Sequence, residues 1–177
     1  KTARYLLREA LPDSPYKEDG HPLHQASQHW DYIKGNVAPE HWRWLWTEGV
    51  KAGLFRHGHV IKGAMEGMRA LAADGHDLVI ITHRPKAAVT DTLQWLAFAN
   101  WPLAGVHILT DQQPKSTVKC DVYVDDKPEN VEDMVQNTGA RLVALFDAPW
   151  NQGYAPPPGA TRVANWGEFV QLVRGLK

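Results

Sequence analysis

The sequence predicts an α/β fold, a parallel sheet with helices on both faces and a small helical lobe beside it. Three observations carry that prediction. From residue 60 onward, helical and strand-like segments alternate with short connections, the pattern of a parallel sheet covered on both sides. The strand-like segments are continuous apolar runs, as at residues 78–81, which suits strands buried on both faces. Residues 12–58 have a different texture, broken by Pro12, Pro15, Gly20, Pro22, Gly35 and Pro39.

Taken in order, residues 2–11 read as a helix because Ala3, Leu6, Leu7 and Ala10 recur on one face. Within the irregular region only residues 39–53 look helical: Pro39 suits a first turn, and Trp42, Leu45, Trp46, Gly49 and Val50 form one stripe. A further stripe of Ile61, Ala64, Met65, Met68, Leu71 and Ala72 ends at Gly75, a natural left-handed cap. The strand at 78–81 leads to a helix carrying Val89, Leu93 and Leu96, which Pro102 forbids to continue. Residues 106–109 and 122–124 are the next strands. Pro128 then opens a helix with Val131, Met134 and Val135 inward, and Gly139 closes it. Residues 141–146 make another strand, and 148–159 a Pro/Gly loop. A short edge strand follows at 161–164, then an amphipathic helix at 166–176 through Phe169, Val170, Val173 and Leu176. The sum is a Rossmann-like arrangement without internal repeats.

Composition removes several function classes. At 177 residues, 44% of them hydrophobic, the chain suits one domain that buries about 70% of its unfolded surface. The formal charge of −1 offers no global attraction to nucleic acid, so an extended DNA- or RNA-binding face is not expected. Cys120 is the single cysteine, which rules out an intrachain disulfide and makes the cytoplasm the default location. No run approaches the roughly 20 apolar residues that span a bilayer. The sequence opens on Lys1 within a helical pattern, and the expectation is that it starts inside a longer protein.

In an open parallel sheet, ligands bind beyond the carboxyl ends of the strands. Three such ends carry chemistry. The strand at 78–81 runs into Thr82, His83 and Arg84; a loop with Lys115 follows the next strand; the third runs into Asp125 and Asp126. Adjacent carboxylates call for a neutralising cation, and oxygen ligands favour Mg²⁺. A Thr hydroxyl and a Lys ammonium are suited to hold a phosphoryl group and the charge developing on it. The blander alternative makes Asp126 a cap for the helix at Pro128, Thr82 a turn residue and Lys115 a solvated side chain.

The order of an apolar strand ending in Thr82, then Lys115, then Val124-Asp125-Asp126-Lys127-Pro128-Glu129-Asn130 resembles motifs two to four of the haloacid dehalogenase-like hydrolases. Together with Phe146-Asp147-Ala148-Pro149-Trp150-Asn151, it is similar to the 5′(3′)-deoxyribonucleotidase group, including bacterial and phage members. The resemblance spans residues 60–151. It implies that Thr82 binds the transferring phosphoryl group, that Lys115 holds it and the nucleophile, and that Asp125 helps ligate Mg²⁺. Asp126 would orient Lys115 or a metal-bound water, and Arg84 would touch phosphate. Lys119 is a rival to Lys115, and His83 departs from the small residue commoner at its position.

The resemblance further implies a core of residues 1–11 and 56–177, with residues 12–55 as a helical cap that closes over the site. Trp30 and Trp44, with Phe55, are the expected stacking contacts for a nucleobase, while Trp42, Leu45 and Trp46 would pack the cap's own core. Gly58, between His57 and His59, suits a hinge. His21, His24 and His29 lack the four-ligand pattern of a zinc site. These hydrolases take their nucleophile from an Asp-x-Asp strand end, absent from residues 1–177, so that strand is expected upstream.

The implied activity is Mg²⁺-dependent hydrolysis of (deoxy)nucleoside monophosphates in the cytoplasm, or in a host's cytoplasm for a phage protein. The implied partner is a small nucleotide, with neither extended nucleic acid nor membrane, and a homodimer is an open assembly state. Two alternatives remain: a catalytically inactive binding or assembly domain of the same fold, and a phosphatase for another small phosphate or a nucleic-acid end.

Overall fold

Residue-by-residue alternation along one strand explains how the sheet is covered. The computed structural model describes residues 2–17, 32–110 and 112–176, and the chain divides into two units: Lys1–His59 with Pro85–Asn100, and Val60–Arg84 with Trp101–Lys177. The second unit holds the strands β1 (Val79–His83), β2 (Gly105–Leu109), β3 (Val122–Asp125), β4 (Leu142–Phe146) and β5 (Ala160–Val163). The helices are α1 (Thr2–Tyr5), α2 (Tyr32–Gly35), α3 (Pro39–Lys51), α4 (Ala64–Ala73), α5 (Val89–Phe98), α6 (Pro128–Thr138) and α7 (Trp166–Arg174).

Leu142 and Ala144 of β4 pack with Leu71 of α4 and with Phe169, Val170 and Val173 of α7. Val143 and Leu145 point to the other face and pack with Val131 and Met134 of α6. Successive side chains of a strand take opposite faces, so this one apolar run requires helices on both. Each fully buried aliphatic side chain there contributes about 2 kcal/mol.

All strand pairs are parallel, as the sequence predicts, and they form two ladders, β1–β2 and β3–β4–β5. The ladder therefore stops at β1 and at β3. Among the described residues no strand joins them. Burial follows pairing: Leu142, Val143, Ala144 and Leu145 of β4 are buried, whereas all of β1 is half-buried and β3 buries only Tyr123. A parallel strand with one unpaired side leaves N–H and C=O groups without ladder partners.

The predicted caps hold. Gly75 (φ +90°) and Gly139 (φ +66°) both lie in the left-handed region after their helices, where a Cβ would be strained. In α4, Ala64, Gly67, Met68 and Leu71 are buried, but Ile61 precedes the helix and is exposed.

The first unit is built differently. α1 runs into a π-helical turn at Leu6–Ala10, closed by a hydrogen bond from the Leu11 N–H to the Leu6 carbonyl (3.0 Å). Leu6, Leu7, Leu11, Tyr16, Val37 and Leu45 form its apolar cluster, and Ala10, expected inward, is exposed. The phase expected for α5 is corrected too. Asp91, Thr92 and Leu96 are buried, whereas Leu93 is exposed. Polar residues can face inward here because each is satisfied: Arg56 donates to Asp91 Oδ1 through Nε (3.1 Å) and Nη2 (2.7 Å), and Thr92 Oγ1 donates to the Ala88 carbonyl (2.8 Å).

Candidate active site at the end of β3

β3 ends at Asp125 and α6 begins at Pro128, so the two carboxylates sit in the turn that feeds a helix N-terminus, where unpaired N–H groups and the helix dipole favour negative charge. Asp125 is held from three sides. Lys115 Nζ lies 2.6 Å from Oδ2, while Oδ1 accepts from the Lys127 N–H (2.9 Å) and from Asn130 Nδ2 (2.9 Å). The pair is enclosed, with side-chain exposures of 14% for Lys115 and 7% for Asp125. Removing one partner of such a buried pair costs about 3–5 kcal/mol, because the other charge is left uncompensated.

Lys115 opens a 3₁₀ turn, Lys115–Thr117, after Pro114. α6 fixes that turn as well: Asp133 accepts from the Ser116 N–H (3.1 Å) and from Ser116 Oγ (2.8 Å). Lys119, the rival, is turned elsewhere and donates to the Asn137 carbonyl (2.8 Å) at the far end of α6.

Asp126 has a different environment. Burial and the adjacent Asp125 charge push its carboxyl up to about 6, against the pull of its own backbone N–H and Lys115. Among the described residues no side chain hydrogen-bonds that carboxyl, and Lys115 acts on it through its charge alone. Its main-chain carbonyl, in contrast, accepts from Asn151 Nδ2 (2.8 Å) and Trp150 Nε1 (3.3 Å).

Thr82 and Arg84 mark the end of β1, with Thr82 in register with Ile108 of β2. Burial holds the Arg84 guanidinium below its ordinary value, and its Nη1 donates to the His83 carbonyl (3.1 Å). His83 Nε2 meets the Gln113 carbonyl at 2.8 Å, tying the end of β1 to the loop that presents Lys115. The unexpected residue at this turn therefore has a definite structural partner.

The structure brings Lys115, Asp125 and Asp126 together directly. Trp44 belongs to the first unit and is half-buried against the Leu6–Leu7–Leu45 cluster, not an open contact as expected. Trp46 is the more exposed ring, at 40%, in edge contact with Trp42 (5.5 Å) and tilted against Phe55 (5.8 Å). Trp30, His21, His24 and His29 lie outside the described residues.

Sequence reasoning missed the polar links that hold this site. Asn130 and Asn151 stand in the sequence only as members of the two motif phrases, with no role of their own, and Asp133 is not singled out. Their spacing from Asp125 along α6 and their place after an apolar run were the available signals. Arg162 of β5 was also missed: it pairs with Asp147 (2.5 Å) and donates to Asn151 Oδ1 (2.9 Å).

Two adjacent carboxylates, one neutralised by a lysine and one carrying a raised pKa, fit the acidic half of a Mg²⁺ site, since that ion takes one or two carboxylates with the remaining positions left to water and phosphate. With Lys115 beside them, the arrangement can bind and stabilise a phosphoryl group.

Comparison with known proteins agrees with this chemistry. A protein of Oceanobacillus iheyensis named "Putative nucleotidase" is 27% identical over 133 residues, 72% of this chain and 68% of that protein. A protein of Chlorobaculum tepidum named "Putative 5′(3′)-deoxyribonucleotidase" is 33% identical over 132 residues, 70% of this chain and 59% of that protein, so the chain spans about three fifths of that relative's length. The family model described as 5′ nucleotidase, deoxy (Pyrimidine), cytosolic type C protein matches residues 10–177. The chain belongs to this family, a deoxyribonucleotidase family of haloacid dehalogenase-like phosphoric monoester hydrolases.

Proposed function

We propose that the protein carrying this chain is a Mg²⁺-dependent phosphatase of (deoxy)nucleoside monophosphates, working in the cytoplasm, with the end of β3 as its phosphate- and cation-binding site. The observation that supports it most is the buried Lys115–Asp125 pair at 2.6 Å with Asp126 next to it. The names of the two relatives support the substrate class.

In this reading Lys115 neutralises charge on the transferring phosphoryl oxygens, the Thr82 hydroxyl donates to one of them, and Arg84 binds the phosphate from the end of β1. The resemblance assigns Mg²⁺ to Asp125, but the hydrogen bonds favour the reverse division. Asp125 is occupied by Lys115, Lys127 and Asn130, so its part is to aim Lys115. Asp126 is the carboxylate suited to the cation. Bound there, Mg²⁺ would supply further positive charge against the phosphate.

The nucleophile of the proposed reaction is an Asp upstream of Lys1, on a strand fitting between β1 and β3. The one-sided pairing of both strands supports such a neighbour. Its carboxylate oxygen attacks phosphorus, the ester P–O bond breaks, and the second Asp of the same strand end gives a proton to the departing nucleoside oxygen and takes one back from the attacking water. Water then hydrolyses the aspartyl-phosphate to inorganic phosphate and the free carboxylate. The division into a core of 1–11 and 56–177 and a cap of 12–55, with Trp30 and, in place of the packed Trp44, the exposed Trp46 at the base, belongs to the same proposal.

The test is phosphate release from deoxynucleoside monophosphates by the full-length protein with Mg²⁺ and with chelator. Mg²⁺-dependent release supports the reading. No release from any nucleotide, with the protein folded, favours a binding domain that has lost its chemistry.

A further inference from the structure

We propose that Asn151 is a positioning residue for the Asp126 carboxylate, fixing the peptide that carries it through a hydrogen bond to its carbonyl. The inference deepens the proposed function and rests on that reading of the β3 end. Asn151 is fully buried, at 0% exposure, in a 3₁₀ turn, Pro149–Asn151, after β4.

A buried amide is costly unless its polar atoms are paired. Here all are used. Nδ2 donates to the Asp126 carbonyl (2.8 Å) and the Phe146 carbonyl (2.8 Å); Oδ1 accepts from the Ala148 N–H (3.1 Å) and from Arg162 Nη1 (2.9 Å). Arg162 also clasps the Asn151 carbonyl (3.0 Å) and Asp147. One side chain thus joins the ends of β3, β4 and β5.

Two donors, Asn151 Nδ2 and Trp150 Nε1, converge on the single carbonyl of Asp126. Holding that carbonyl fixes the Asp126 backbone and leaves the carboxylate little more than its own rotamer. A planar group with two donors and two acceptors is needed. Asp offers no donors, Ala offers nothing, and Gln places the amide one methylene too far.

The test compares wild type, Asn151→Asp, Asn151→Ala and Trp150→Phe in the full-length protein, measuring kcat, KM for a deoxynucleoside monophosphate, half-saturating Mg²⁺ and Tm. Positioning predicts a rise in half-saturating Mg²⁺ or a fall in kcat of about tenfold or more for both Asn151 variants, as for partners that orient a metal-binding group, with KM for the nucleotide nearly unchanged. Trp150→Phe, which keeps a smaller aromatic ring and removes one donor, shifts the same quantities by a smaller factor. A lower Tm with kcat and half-saturating Mg²⁺ at wild-type values would overturn the proposal. If the Asn151 variants do not fold, wild-type Mg²⁺ behaviour in Trp150→Phe overturns it. A wild type without Mg²⁺-dependent phosphate release fails the functional reading itself, and the inference falls with it.

Discussion

The end of β3 and the end of β1 belong to the same unit and the same family signature, yet they are held in opposite ways. At β3 the Asp125 carboxylate is enclosed by donors from α6 and the Lys115 turn, and the Asp126 carbonyl accepts donors from the loop after β4. At β1 every residue is half-buried, and the ladder stops on one side. The difference teaches which part of the site is preorganised within these residues. Charge placement at β3 is finished; the phosphate contacts proposed at β1 depend on whatever lies beside that strand.

The largest expected effect breaks the β3 side. Lys115→Ala leaves Asp125 buried without its cation and should cost about 3–5 kcal/mol of stability, together with about 10²–10³-fold in kcat. Urea unfolding and phosphate release read the two losses separately. An unchanged unfolding midpoint would mean that the 2.6 Å pair does not hold the turn.

Next comes the pH dependence of Asp126. Its carboxyl, pushed up to about 6 from the ordinary 3.8, binds a proton in the folded state between those values. Stability from this group is present below about pH 4 and is lost as pH rises through about 6, a fall of roughly 3 kcal/mol in metal-free protein. Asp126→Asn should flatten that dependence, and Mg²⁺ should raise Tm more at pH 7.5 than at pH 5. A wild-type stability that rises with pH across this window, and is lowered by the substitution, would contradict the raised pKa.

Thr82→Val tests the β1 side. The half-buried position predicts a stability change within about 1 kcal/mol, with kcat reduced about tenfold to a hundredfold through the lost donor. Equal losses in stability and activity would show that β1 is held as firmly as β3. The smallest expected effect concerns the first unit. Trp46→Ala should raise KM for a nucleotide a few-fold and leave hydrolysis of a small aryl phosphate unchanged. Trp44→Ala should instead lower Tm, since its ring packs on the Leu45 cluster.

Much of this was legible in the sequence because it is local. The apolar run of β4, the glycines after α4 and α6, and the succession Thr82, Lys115, Asp125 depend on neighbours in the chain. What was hidden depends on distant partners. Which strands pair, β1 with β2 and β4 with β3 and β5, is a property of the sheet that no periodicity reports. Leu93 is spaced like a core residue, but the Arg56–Asp91 bond rotates the inward face of α5 toward polar side chains. Asn151 looks like a residue chosen for a Pro-rich turn; only the fold reveals that it closes on a carbonyl 25 positions earlier. The different surroundings of Asp125 and Asp126 were equally hidden, since adjacent identical residues differ only in what the fold places around them.

The most direct measurement is phosphate release from a deoxynucleoside monophosphate by the full-length protein across a range of Mg²⁺ concentrations, comparing wild type with Asp125→Asn and Asp126→Asn. A cation site at Asp126 and a lysine anchor at Asp125 predict that Asp126→Asn raises half-saturating Mg²⁺ by about tenfold or more, while Asp125→Asn lowers kcat and Tm with a smaller change in Mg²⁺ dependence. Wild-type Mg²⁺ dependence in Asp126→Asn, with the larger shift in Asp125→Asn, would contradict the account.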